Sequence, residues 1–219
     1  MSTEVKICGL RDEAALEAAL DAGADYVGFV FFARSPRNIE PAAARALADK
    51  ARGRAKIVAL LVDPDDALLD NVVSAVEPDV IQLHGAETPA RVGEVARRFK
   101  RKVMKAIPVG NAADVEAALA YADTADRILF DAKPLPGEAG ALPGGNGVAF
   151  DWQALAGLNG KIDFMLAGGL NPENVAEAVR LTGAPAVDVS SGVESRPGEK
   201  DPQLIRRFIS AAKTAKQTP

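Results

Sequence analysis

Eight times along the chain, a short run of β-branched and other apolar residues gives way to a loop. Each loop leads into a stretch, often alanine-rich, with apolar residues at helical spacing. No other feature narrows the fold as much. The runs predict strands at 5–8, 25–31, 57–62, 80–83, 103–107, 127–130, 164–166 and 186–189. The stretches between and after them predict helices at 12–22, from 41, at 65–76, 88–99, 112–121, around 151–155, at 172–181 and at 202–215. Three helices announce their starts alike, with Thr88-Pro89, Asn171-Pro172 and Asp201-Pro202 placing a capping oxygen before a proline at the first helical position. Eight units in 219 residues average about 27 residues each, near the minimum for a (β/α)₈ barrel. The expected architecture is one such barrel domain spanning 1–219. A doubly wound open sheet is the alternative, but it usually needs fewer units. It often carries a glycine-rich turn after the first strand, and Cys8-Gly9-Leu10-Arg11 offers one glycine and no dinucleotide fingerprint.

Charge and cysteine content limit the partners. Lys plus Arg number 26 and Asp plus Glu 30, a net charge of −4, which disfavours nucleic acid or an anionic membrane. With 48% hydrophobic residues the chain can fill a core. One cysteine rules out an intrachain disulfide and fits a reducing, cytoplasmic setting. No signal segment or bilayer-length apolar run is expected.

In a barrel, chemistry belongs where the strands exit. The exits carry Cys8, the Phe31–Arg37 loop, Val62-Asp63, Gln82 and His84, Lys105, Asp131, Gly168-Gly169, Asp188 and Ser190-Ser191-Gly192. The glycines and serines after the last two strands suit phosphate, since backbone N–H groups can approach a ligand closely and hydroxyls add donors. Asp131 reads either as a general acid at an apolar mouth or as a carboxylate paired with Lys105 or Lys133. Arg37 reads either as solvent-facing or as half of a bidentate pair with a carboxylate. His84, the sole histidine, reads as a hydrogen-bonded structural residue, and no cluster has metal-ligand spacing. Cys8 reads as core filling or as a reagent, with Lys6 two residues back on the same face but a strand's depth away. The 133–147 stretch, with three prolines and five glycines, reads as a lid or as a surface connection.

Taken together, these motifs resemble the phosphoribosylanthranilate isomerase family of tryptophan biosynthesis. The resemblance rests on Lys6-Ile7-Cys8-Gly9, Phe31-Phe32-Ala33-Arg34-Ser35-Pro36-Arg37, Leu61-Val62-Asp63-Pro64, Gln82-Leu83-His84-Gly85 and Leu129-Phe130-Asp131. It continues through Phe150-Asp151-Trp152, Leu166-Ala167-Gly168-Gly169-Leu170, Asp188-Val189-Ser190-Ser191-Gly192-Val193-Glu194 and Gly198-Glu199-Lys200-Asp201, in order over nearly the whole chain. One departure is Gly144-Gly145-Asn146-Gly147, where the family usually has threonine or serine in place of asparagine.

The resemblance implies a (β/α)₈ barrel and a cofactor-free Amadori rearrangement. It converts N-(5′-phosphoribosyl)anthranilate to 1-(2-carboxyphenylamino)-1-deoxyribulose 5-phosphate, the third step from chorismate. It implies Cys8 as general base and Asp131 as general acid, Arg37 on the anthranilate, and Gly168, Gly169, Ser190, Ser191 and Gly192 on the phosphate. Asp188 would contact substrate hydroxyls or nitrogen. The expected partner is this phosphorylated small molecule, with the protein a monomer or homodimer. Such chemistry calls for the carboxyl pKa to move up and the thiol pKa down. Three rivals stand beside it: a histidine-pathway aldose–ketose isomerase, which uses aspartate where Cys8 stands; a Schiff-base lyase acting through Lys105; and a non-catalytic phosphate-binding module.

Overall fold

In the computed structural model of the chain, the described residues are 2–133, 152–155, 158 and 162–215. They form a closed parallel barrel in chain order: β1 (Glu4–Cys8), β2 (Tyr26–Phe31), β3 (Lys56–Leu61), β4 (Val80–Leu83), β5 (Lys102–Val109), β6 (Arg127–Ala132), β7 (Phe164–Leu166) and β8 (Ala186–Val189). Around it lie α1 (Glu13–Asp21), α2 (Pro41–Ala51), α3 (Asp66–Val76), α4 (Pro89–Phe99), α5 (Ala112–Ala118), α6 (Val175–Thr182) and α7 (Pro202–Thr214), with 3₁₀ turns at Leu119–Tyr121, Trp152–Leu155 and Ser191–Val193. The barrel expectation therefore holds. The 134–147 part of the proline–glycine loop, Asn146 included, lies outside the described residues.

The period-two pattern of each strand sorts its residues between two cores. Val5, Ile7, Val27, Phe29, Val103, Phe130 and Phe164 point outward and pack beneath the helices. Tyr26, Val58, Val80, Met104, Ala106, Leu129, Met165, Ala167 and Ala186 fill the barrel interior. Above them Cys8, Val30 and Leu60, with Phe32 and Val62, form an apolar collar at the C-terminal mouth. Burying a large apolar side chain contributes roughly 1.5–3 kcal/mol, so both layers hold the strand ends in place.

The helix starts follow their capping chemistry. Thr88 Oγ1 accepts from Arg91 N, and Asp201 Oδ1 from Gln203 N and Leu204 N, each just before the predicted proline. Asn171 departs from the expectation. Its side chain accepts from Glu173 N and Asn174 N, but it closes a turn, and α6 begins only at Val175. At the N-terminal end of the barrel one device recurs. Asp25, Asp79 and Asp126 each accept the N–H of the second residue of the preceding strand, from Val5, Ile57 and Val103 at 2.8, 2.7 and 2.8 Å.

The sequence reading placed no element between β8 and α7. The chain there forms an antiparallel hairpin, β9 (Glu194–Arg196) with β10 (Glu199–Lys200). Arg196-Pro197-Gly198, with Gly198 at φ +83°, is the turn signal that would have revealed it.

Candidate active site

The barrel mouth opens into a cavity of about 670 Å³ of free space, open solvent at its entrance included. Cys8, Arg37, Asp131, Gly168, Gly169, Asp188, Ser190 and Ser191 all line it, with His84 and an apolar wall of Val30, Phe32, Leu60 and Val62. The structure thus gathers into one cavity residues that are up to 183 positions apart in the chain. Gly192 is not on the lining. A Cβ there would lie 1.9 Å from the Leu170 carbonyl oxygen, so its missing side chain lets the β7 and β8 loops meet. Gly168 is also held to glycine, by φ +86° and by Ala132 N, 2.4 Å from where a Cβ would sit.

Asp131 lies within β6, not past its end. One carboxylate oxygen accepts from Ala132 N at 2.9 Å, and the other lies 3.3 Å from His84 Nε2. Neither lysine considered in the sequence pairs with it. Lys133 bonds Asp114 at 2.6 Å. Lys105 is on the outer side of β5, one residue from the inward Met104 and Ala106. Its ammonium is held at 2.6 Å by Gly85 O and at 2.9 Å by Glu87 Oε2 and by Ala106 O. It does not line the cavity, which removes the placement that a Schiff-base lyase would need.

His84 is hydrogen-bonded, as expected, and it also lines the cavity. Its Nδ1 lies 3.0 Å from the Gln82 amide, and its Nε2 faces Asp131. Gln82 and His84 share the inward face of β4, which period-two spacing places with Val80.

Arg37 is buried, with 7% of its surface exposed, which overturns the solvent-facing reading. Its Nε and Nη2 fork onto Glu194 at 2.8 and 2.9 Å. Lys200 reaches the same carboxylate at 2.7 Å and also donates to Ser190 O at 2.9 Å. Ser190 Oγ in turn donates to the Cys8 carbonyl at 3.2 Å. The hairpin thus braces the anion-seeking arginine, the serine loop and β1 together. Although burial works against it, the Arg37 hydrogen bond and the Lys200 charge hold the Glu194 carboxyl below its ordinary pKa. Burial lowers the Lys200 ammonium, with Glu194 opposing.

Burial pushes the Cys8 thiol up from its ordinary pKa; Lys6 and Lys200 pull it back, and Asp188 adds to the rise. The expected downward movement is therefore not what the site gives: desolvation of a buried thiolate outweighs two ammonium groups. Lys6 also reaches further than the sequence suggested. It donates to Asp188 Oδ1 at 2.9 Å, and its last methylene and Cys8 Sγ pack against the same point at Gly28.

A cavity with a thiol, a carboxyl and glycine–serine loops at the mouth of a (β/α)₈ barrel narrows the families to compare. Residues 5–211 match the family model for N-(5′-phosphoribosyl)anthranilate isomerase. A curated relative of that name from Mesorhizobium japonicum is 53% identical over 99% of this chain and 98% of its own. A crystal structure of a phosphoribosylanthranilate isomerase with reduced 1-(o-carboxyphenylamino)-1-deoxyribulose 5-phosphate is 35% identical. It superposes with a TM-score of 0.83 over 96% of this chain and 98% of its own. A structure of monomers generated from the dimeric Thermotoga maritima enzyme is 36% identical, also with a TM-score of 0.83 over 96% and 98% of the two chains. With fold, cavity and full-length likeness in agreement, the chain belongs to the N-(5′-phosphoribosyl)anthranilate isomerase family.

Proposed function

We propose that, in the isomerisation for which this family is named, Cys8 is the general base and Asp131 the general acid. The observation that carries this reading is that both groups line one cavity from β1 and β6, strands three places apart around the barrel. The protonated Asp131 carboxyl gives its proton to the furanose ring oxygen. The ring opens, and the anthranilate nitrogen supplies the electron pair that forms an iminium. The iminium acidifies the C2′ proton, and the Cys8 thiolate removes it. The resulting enolamine tautomerises to the ketone.

The remaining residues supply position. Gly168, Gly169, Ser190 and Ser191 hold the phosphate, at loops where backbone approach is close and hydroxyls are at hand. Gly192 serves by letting those loops touch. Arg37, two of whose N–H groups are spent on Glu194, presents the rest of its guanidinium to the anthranilate carboxylate. Asp188 accepts from a ribose hydroxyl or the substrate nitrogen. Loss of phosphoribosylanthranilate fluorescence follows the reaction. Cys8→Ser with near-normal turnover would defeat the thiol-base assignment, and Asp131→Asn with near-normal turnover the acid.

A further inference from the structure

We propose that Lys6 is a positioning residue for the proton abstraction: its buried ammonium group, clamped by Asp188, favours the Cys8 thiolate against the burial that opposes it. The proposal rests on the thiol-base reading above.

The placement begins with strand register. β1 and β8 are paired so that Lys6 stands beside Asp188, and Cys8 follows two residues later on the same inward face. On the other side, Cys8 stands beside Gly28 of β2. Gly28 leaves its space to these two side chains. The point a Cβ would occupy there is 3.2 Å from Cys8 Sγ and 3.3 Å from the last methylene of Lys6. The lysine therefore passes beside the Cys8 side chain, across the space Gly28 leaves open, to reach Asp188 Oδ1 at 2.9 Å. Lys6 is wholly buried. A lone ammonium there would be costly, and it is tolerated because carboxylate and sulfur both face it.

Other charged groups bear on the same sulfur. Asp188 opposes ionisation, and Lys200 favours it through space. Lys200, however, has its donors on Glu194, Ser190 O and Ser190 Oγ. Arg37, His84 and Asp131 line the cavity as well, with Arg37 committed to Glu194 and His84 to Asp131. Lys6 lies on the same strand face as the thiol, with both side chains against Gly28. It stays protonated through the cycle: the C2′ proton moves to sulfur, and the ammonium keeps all three of its own.

Cys8 is the sole cysteine, so thiolate ultraviolet absorbance, taken as the difference from Cys8→Ser, reports one group. In Lys6→Gln, which keeps a donor for Asp188 but no charge, the thiol midpoint should rise by about one pH unit or more. That is roughly a tenfold loss of thiolate below the midpoint. The alkaline limb of kcat/KM should move with it, and Lys6→Arg should restore both toward wild type. A folded Lys6→Gln with an unmoved thiol midpoint and pH profile overturns the proposal while leaving the thiol-base reading intact. Should Lys6→Gln not fold, the otherwise unaltered protein decides. The Lys6 ε-carbon resonance should titrate with the thiol midpoint and lose that transition in Cys8→Ser; no shared transition overturns the proposal. Near-normal turnover of Cys8→Ser is a separate result, which defeats the underlying reading.

Discussion

The two ends of the barrel use similar side chains to opposite effect. At the N-terminal end, Arg127 bonds Glu4 at 2.8 Å, Asp163 at 2.9 Å and the Tyr26 hydroxyl at 3.1 Å. There Asp25, Asp79 and Asp126 are occupied by strand N–H groups. At the C-terminal mouth, Asp131, Asp188, Arg37 and His84 are held on one side and present another to open space. Closed networks stabilise; half-committed groups held in place can act on something that arrives. Two lysines repeat the contrast within single strands. Lys105, on the outer face, is enclosed by carbonyls and Glu87, whereas Lys6, on the inner face, bonds Asp188 beside Cys8.

The comparison can be broken most directly at the mouth. Cys8→Ala and Asp131→Asn should each lower turnover by about 10²–10⁴-fold, while a reduced product analogue binds within a few-fold of wild type. Fluorescence kinetics and calorimetry measure the two. A comparable loss of analogue binding would make these residues structural, and the two ends alike.

The next effect is on pH. A thiol whose pKa burial has raised carries less thiolate at a given pH. The basic form therefore accumulates only as pH climbs through the shifted value. The thiolate fraction, read as ultraviolet absorbance against Cys8→Ser, should keep rising past about pH 8.5, close to tenfold per unit below the midpoint. A thiolate already fully formed at neutral pH would contradict a Cys8 thiol with raised pKa.

Arg37→Lys should raise KM by roughly tenfold with a smaller change in kcat, because lysine cannot hold Glu194 and a substrate carboxylate with one planar fork. Steady-state kinetics separate the two parameters; an unchanged KM would leave Arg37 a brace for the hairpin alone.

The smallest effect on turnover belongs to the other end. Arg127→Met should cost about 1–3 kcal/mol of stability, read from urea unfolding, while kcat and KM stay within about twofold. A large fall in turnover of the folded variant would erase the distinction between a stabilising and a reactive end.

The sequence itself determined much of this. Eight alternations of β-branched run and amphipathic stretch leave few topologies, because each strand needs a helix to return the chain parallel. Once the barrel is accepted, period-two spacing and strand ends point to Cys8, Asp131, Asp188 and the two glycine–serine loops, all local properties of short segments. What the fold alone decided is which distant groups share a dielectric environment. Register sets Lys6 beside Asp188 across 182 positions. A short hairpin carries Glu194 to Arg37 and Lys200 to Ser190. His84, a lone histidine in the chain, acquires its meaning only when β4 and β6 bring it against Asp131. Whether Cys8 is raised or lowered was likewise beyond the sequence. That balance is set by burial against through-space charge, and both depend on distances fixed only when the barrel closes.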